Sequence, residues 1–201
     1  MNIQKTATDI INRQGGIAKT ADFIAAGISA AQVISLCNEG LLERVRHGYY
    51  SFTNPDYISE EQLLAKLYPK GIICVESALF HYGYSDFTPR KWSIAVPRTI
   101  SRTKFHDALL PLQIYYVQQH IYELGRTDIS MNGVSLPIYD RERTICDCFK
   151  YRARLDRETF GKAINTYAKD PNINLRNLST YAKELRVYEK VNELMEVLLN
   201  G

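Results

Sequence analysis

The stretch Gly27–Phe52, GISAAQVISLCNEGLLERVRHGYYSF, decides the fold of the N-terminal part. Ser29-Ala30-Ala31-Gln32 is a capping box, in which the serine hydroxyl and the glutamine amide each satisfy a helix-start N–H that the helix leaves unpaired. The helix it opens carries Val33, Leu36 and Cys37 on one face and stops at Gly40. Leu41–Arg46 and Tyr49–Phe52 then read as two short strands around His47-Gly48.

Upstream, Ala7, Ile10 and Ile11 share one helical face, which predicts a helix over Thr6–Arg13 ended by Gln14-Gly15-Gly16. A second helix is expected over Thr20–Ala26, with Phe23 and Ile24 facing inward and Gly27 just past its end. Three short helices followed by a hairpin form the winged helix-turn-helix pattern.

Downstream, Asn54-Pro55-Asp56 breaks the chain, because proline fixes its own φ and disfavours helix for the residue before it. The expected domains are therefore 1–55 and 56–201. Ser59-Glu60-Glu61-Gln62 is a second capping box, opening a helix with Leu63, Leu64 and Leu67 that Pro69 closes. Ile72–Val75 reads as a short strand or a lead-in to a helix over Glu76–Tyr82. Trp92–Val96 and Gln113–Val117 read as strands. Thr127–Met131 and Val134–Tyr139 flank Asn132-Gly133, a strong hairpin signal, since both turn positions need positive φ. From Asp140 the period turns helical: Ile145 with Phe149, Phe160 with Ile164 and Tyr167, Leu178 with Ala182 and Leu185, Val191 with Leu194 and Leu198. The expected class is α+β: a winged helix-turn-helix, then a small mostly antiparallel sheet with C-terminal helices.

Composition narrows the class further. With 201 residues, 45% hydrophobic and 23% charged, the chain is globular rather than disordered. No apolar run reaches the ~20 residues of a membrane span, and Met1–Thr6 lacks a signal-peptide core, so a cytoplasmic protein with reduced thiols is expected. Cys37 and Cys74 stand alone, and Cys146 and Cys148 have no histidine near them. His47, His81, His106 and His120 are scattered, so buried thiols are expected rather than a metal site, and no cofactor is expected.

A net charge of +3 is no argument for nucleic acid by itself. Residues 1–57 balance Lys5, Arg13, Lys19, Arg44 and Arg46 against Asp9, Asp22, Glu39, Glu43 and Asp56. Placement says more. Lys19 and Thr20 begin the second helix, where a helix N-terminus and a lysine can hold one phosphate. Arg44, Arg46 and His47 lie on the wing. The third helix offers Ser29, Ala31, Gln32, Ser35 and Asn38 but no Lys or Arg; Gln can read adenine by a bidentate pair and Ala can touch a thymine methyl. The alternative is a solvated polar face on a winged helix that docks protein.

The C-terminal part holds two basic stretches. Arg90, Lys91, Arg98, Arg102 and Lys104 have no acid among them, and read equally as solvated surface or as a phosphate or RNA surface with Tyr115 and Tyr116 stacking bases. Arg141, Arg143, Lys150, Arg152, Arg154 and Arg157 are diluted by acids and read as solvated surface, with Arg143 and Asp147 paired at i, i+4. Signature motifs of nucleotide-binding and hydrolytic enzymes are absent. Asp140 and Glu142, with Lys150 eight residues on, are the best candidates for metal-dependent nuclease chemistry; the simpler reading is that Asp140 caps a helix and Glu142 favours its positive end. No catalytic residue is assigned.

These segments together resemble a known family. Gly27-Ile28-Ser29, Leu36 and Gly40–Tyr50 resemble the winged-helix domain of AbiEi antitoxins from bacterial abortive-infection systems. Glu76–Gly83 followed by Trp92–Arg98, and Val134–Tyr139 followed by Asp140–Asp147 with its "ERT…D" passage, are similar to the family's second domain. The third helix departs from the pattern in lacking the arginines many members carry. The resemblance implies a type IV toxin–antitoxin regulator: the winged domain binding inverted-repeat operator DNA in its own promoter, and the second domain countering an AbiEii-like nucleotidyltransferase toxin with or without a direct complex. The first choice for an antitoxicity surface is Arg90, Lys91, Arg98, Arg102 and Lys104.

Overall fold

Three local features build the first part of the chain: an asparagine cap, a serine capping box and a glycine wing. The structure, a computed structural model, describes residues 2–53, 58–105 and 108–200, with side chains to Glu196 in the last helix. Asn54-Pro55-Asp56, His106 and the Leu198 side chain lie outside the described residues. The chain divides into two compact units, Met1–Leu67 and Tyr68–Gly201.

In the first unit, α1 (Ile3–Arg13) starts earlier than its apolar pattern because Asn2 Oδ1 caps it, accepting from the Lys5 N–H at 3.2 Å. Helices α2 (Thr20–Ala25) and α3 (Ala30–Asn38) follow β1 (Ala18–Lys19), and β2 (Leu42–Arg46) and β3 (Tyr49–Phe52) form the wing. The sheet order is β1-β3-β2, antiparallel, with Ala18 opposite Tyr50 and Leu42 opposite Phe52. Ala7, Ile11, Phe23, Ile28, Val33 and Leu42 fill the core, where Phe23 meets Tyr50 edge to face at 6.1 Å. Ile24 does not face inward as expected: it is 56% exposed. Helix α2 has six residues, and one buried position, Phe23, serves its whole inner face. Cys37 is half-buried rather than core.

Helix α4 (Glu60–Leu67) belongs to this first unit. Its capping box forms as expected, the Ser59 N–H donating to Gln62 Oε1 at 2.9 Å and the Gln62 N–H to Ser59 Oγ at 3.3 Å. Lys66 Nζ donates to Gln14 Oε1 at 2.6 Å, tying α4 to the end of α1. The division between the units thus falls after α4, later than the proline break.

The second unit is built on five strands: β4 (Ile72–Ile73), β5 (Trp92–Pro97), β6 (Leu112–Val117), β7 (Arg126–Met131) and β8 (Val134–Tyr139), in the order β6-β5-β4-β8-β7. Pairings β4–β5 and β7–β8 are antiparallel, whereas β5–β6 and β4–β8 are parallel. The sheet is mixed, not mostly antiparallel. Asn132 and Gly133 take φ of +50° and +76°, as the hairpin demands.

Helices α5 (Val75–His81), α6 (Gln119–Tyr122), α7 (Arg141–Lys150), α8 (Arg157–Ala168), α9 (Leu175–Glu184) and α10 (Tyr188–Asn200) complete this unit. Every residue of α7 from Glu142 to Phe149 is buried, so the helix runs through the core rather than over it. Cys74, Cys146 and Cys148 are buried free thiols within that core.

Candidate nucleic-acid interface

The wing gathers its cations around Tyr49 and Gly48. Gly48 takes φ +77° at the turn, and its carbonyl accepts the Thr20 N–H at 3.0 Å, which fixes the start of α2 against the wing tip. Lys19 pairs with Tyr49 across the sheet and places its Nζ 5.8 Å from the ring centroid; the Arg46 guanidinium stands at the same distance. A bulge between Arg44 and Arg46 twists the strand at this point. The Arg44 guanidinium donates to His47 Nδ1. Lys19, Thr20, Arg44, Arg46 and His47 therefore share one end of the unit, and Tyr49, which the sequence reading did not single out, organises two of the cations. Asp22 spends a carboxylate oxygen on the Lys19 N–H at 2.7 Å.

The exposed face of α3 is chemically different. Ser29 Oγ accepts the Gln32 N–H at 3.3 Å and Gln32 Oε1 accepts the Ser29 N–H at 2.8 Å, so the capping box exists as read. It also commits the amide oxygen that a bidentate pair with adenine requires. Ser35 Oγ donates to Glu39 Oε1 at 2.9 Å, and Gln4 donates to the other oxygen of Glu39 at 3.3 Å. Ala31 and Asn38 remain exposed, alongside Ile34 at 54% exposure.

The carboxylates considered for catalysis are structural. Asp140 Oδ1 caps α7 by accepting the Arg143 N–H at 2.8 Å, and its Oδ2 accepts the Tyr181 hydroxyl at 3.1 Å. Glu142 is buried and its Oε1 accepts the Asn174 N–H at 2.8 Å and the Tyr167 hydroxyl at 3.3 Å, which ties α7 to the starts and faces of α8 and α9. Lys150 joins neither. The Arg143–Asp147 pair forms at 3.2 Å as expected, but it is sealed from solvent, contrary to the reading of this stretch as surface. The guanidinium also donates to the carbonyls of Ile121 at 2.7 Å and Leu124 at 2.8 Å, and lies 4.1 Å from the Tyr139 ring centroid. Gly125 permits this: with φ +73°, it has no room for a Cβ, which would stand 2.6 Å from Arg143 Cβ.

Burial settles the stacking candidates as well. Tyr115 is 1% exposed and gives its hydroxyl to Glu76 Oε2 at 2.9 Å, so it cannot stack a base. The Tyr116 ring lies under Arg102, 5.4 Å from its guanidinium. The basic stretch from Arg90 is divided between two cavities: Arg90 and Lys91 line one of about 360 Å³ together with Glu76 and Asp156, whereas Arg98 and Arg102 line one of about 690 Å³ together with Lys150 and Arg154. Lys104 lies on the exposed 3₁₀ turn Arg102–Phe105 and lines neither.

A winged helix with a basic wing, followed by a mixed-sheet unit built around a buried helix, defines a two-part winged-helix protein. Over residues 6–53 the chain matches the family model described as transcriptional regulator, AbiEi antitoxin, in agreement with the resemblance carried by the wing and its helices. That family is regulatory rather than enzymatic. No curated protein matches the chain. The crystal structure of the RV2827C protein from Mycobacterium tuberculosis shares the fold, with a TM-score of 0.62 at 14% identity, covering 97% of this chain and 79% of that one. No helix among the described residues is long and apolar enough to cross a membrane.

Proposed function

We propose that this chain is a DNA-binding autorepressor and antitoxin: its winged helix binds inverted repeats in its own promoter, and its second unit counters a nucleotidyltransferase-like toxin in the cytoplasm. The observation that carries the first half is the grouping of Lys19, Thr20, Arg44, Arg46 and His47 at one end of a unit that matches the regulator family. Phosphate neutralisation by such a group supplies most of the affinity of a DNA-binding module. Base reading falls to Ala31 and Asn38, and to Ser29, Gln32 and Ser35 where they exchange their intramolecular partners for a base edge. A mobility-shift assay with the chain's own promoter tests this; a preference over random duplex is expected.

A second reading has one observation in its favour. Ile24 and Ile34 are exposed on the two helices of the turn, and α3 has no cation, which suits a winged helix that docks protein. That reading predicts a tight partner complex and no shift of promoter DNA.

For the second half, the units suggest where to cut. A cut before Tyr68, rather than at the proline break, leaves α4 with the first unit, and the fragment from Tyr68 onward should fold, lose operator binding and still protect cells against the toxin. Charge-neutral replacement of Arg90, Lys91, Arg98, Arg102 and Lys104 in that fragment should abolish protection; unchanged protection would reduce these residues to solvated surface.

A further inference from the structure

The 690 Å³ cavity of the second unit is lined by Arg98, Arg102, Lys150, Arg154 and Arg186 against one carboxylate, Glu184. The cations arrive from the end of β5, the Arg102–Phe105 turn, the end of α7 with the turn after it, and the α9–α10 junction. None of the five makes an ion pair among the described residues. Like charges gathered in one concavity repel, and the cavity walls focus their field. Loss of solvent lowers the Lys150 pKa, and Arg143, Arg98 and Arg186 push it the same way against the pull of Asp147.

Helix ends explain part of this arrangement. Lys150 and Arg186 stand at the C-terminal ends of α7 and α9, where the helix dipole favours a cation. Arg98, Arg102 and Arg154 have no such partner. Arg186 also sits at φ +60°, a left-handed position just past a helix, where glycine is usual and a side chain is strained. A cation occupies this strained position at the cavity wall.

The cavity's location and walls indicate what it holds. Strands β5 and β6 run parallel, and Arg98 and Gln118 directly follow their C-terminal ends; crevices outside such ends are where open α/β sheets bind ligands. Arg102 lies over Tyr116 at 5.4 Å and Arg154 over Tyr115 and Tyr151 at 5.1 and 5.7 Å, so aromatic rings hold both guanidiniums at the cavity wall. With Tyr115 buried and Tyr116 and Tyr151 under cations, His120 is the one ring of this wall left uncovered, and a single ring cannot stack a run of successive bases. The volume is that of a small-molecule site.

We infer that this cavity binds a compact polyanion with two or three adjacent phosphates, held by Arg98, Arg102, Lys150, Arg154 and Arg186. Guanidinium forks match phosphate oxygens bidentately, and five cations match the charge of a phosphate chain. Inorganic polyphosphate and the chain of a nucleoside triphosphate share this chemistry. The inference does not depend on DNA binding by the winged helix.

Calorimetric titration of the full chain with tripolyphosphate, ATP and sulfate tests it. Tripolyphosphate should bind at one site and more tightly than sulfate. Arg186→Gly and Arg154→Gln should each weaken it about tenfold or more, the loss of a charge-assisted hydrogen bond. Arg186→Gly should fold at least as well as the parent, because glycine relieves the left-handed residue, so its weaker binding would not reflect misfolding. Arg90→Gln, outside the cavity, should bind as the parent does. ATP binding equal to tripolyphosphate assigns the inorganic chain, and ATP binding about tenfold tighter assigns the nucleotide; both support the site. Tripolyphosphate no tighter than sulfate, or parent-like binding in both cavity variants, would overturn it. So would a single-stranded oligonucleotide or acidic peptide that binds through these residues while tripolyphosphate does not.

Discussion

The wing and helix α7 carry similar sequence, arginines spaced among acids, and use it in opposite ways. In LERVRH, Arg44 and Arg46 stand on the edge strand of a three-stranded sheet, Arg44 exposed and Arg46 half-buried against Tyr49. In RERTICDCF, Arg143 is completely enclosed, its Nε donating to Asp147 and its Nη1 to two backbone carbonyls, while its Nη2 is buried without a hydrogen-bond partner among the described residues. A run of charge therefore says little until the neighbouring apolar residues are placed. Ile145, Cys146, Cys148 and Phe149 cover more than one face of α7, and a helix apolar on several faces lies inside its domain. The "ERT…D" passage is accordingly an architectural device, with Glu142 holding the Asn174 N–H, Arg143 the α6–β7 corner and Thr144 Oγ1 the Tyr139 carbonyl at 3.2 Å.

The largest expected effect tests the buried side of this contrast. Arg143→Ala should cost about 3–5 kcal/mol in urea unfolding, since it strands Asp147 in the core. The double change Arg143→Met with Asp147→Leu should recover much of that loss, and a double variant no better than the single would show that the carbonyl contacts, not the charge pair, dominate. The exposed side should behave inversely. Arg44→Ala with Arg46→Ala should shift stability by less than about 1 kcal/mol while flattening the salt dependence of DNA affinity by about two log units per log unit of salt. A smaller effect separates two roles of one residue: Gln32→Ala should lose about 0.5–1 kcal/mol of helix capping, whereas Gln32→Glu keeps the box and the stability. If both relax base preference equally, the amide reads a base.

The smallest effect is acid-dependent. The Tyr84 hydroxyl, helped by Asn172 and Arg141, holds the Asp170 carboxyl below the usual range. A carboxyl depressed in the folded state stabilises above its unfolded value near ~3.9 and loses that contribution as pH falls through the depressed value. Asp170→Asn should therefore leave a shallower acid limb in a thermal-melt series, with a difference that vanishes at the lowest pH.

Local chemistry was legible in the sequence. Both Ser-x-x-Gln boxes, the Asn132-Gly133 turn and the Asp140 cap depend on residues three or fewer apart and formed as read. What depended on distant pairing was not. Ile73 meets Ile138 in a parallel pairing that no local pattern encodes, and β1 is two residues long, too short for any period. Arg98, Lys150 and Arg186 converge only because α7 passes through the core and delivers its last turn beside β5. Ile24 was misread because a six-residue helix has little room for two inward positions.

Operator binding by the wing end of the first unit, as proposed, is measured by fluorescence anisotropy of the full chain on a labelled duplex from its own promoter. Binding should be tighter than to a scrambled duplex of equal composition, should weaken steeply with salt, and should be weakened across all sequences by Arg44→Ala with Arg46→Ala. Equal binding to both duplexes, or promoter binding untouched by the loss of both arginines, would contradict it.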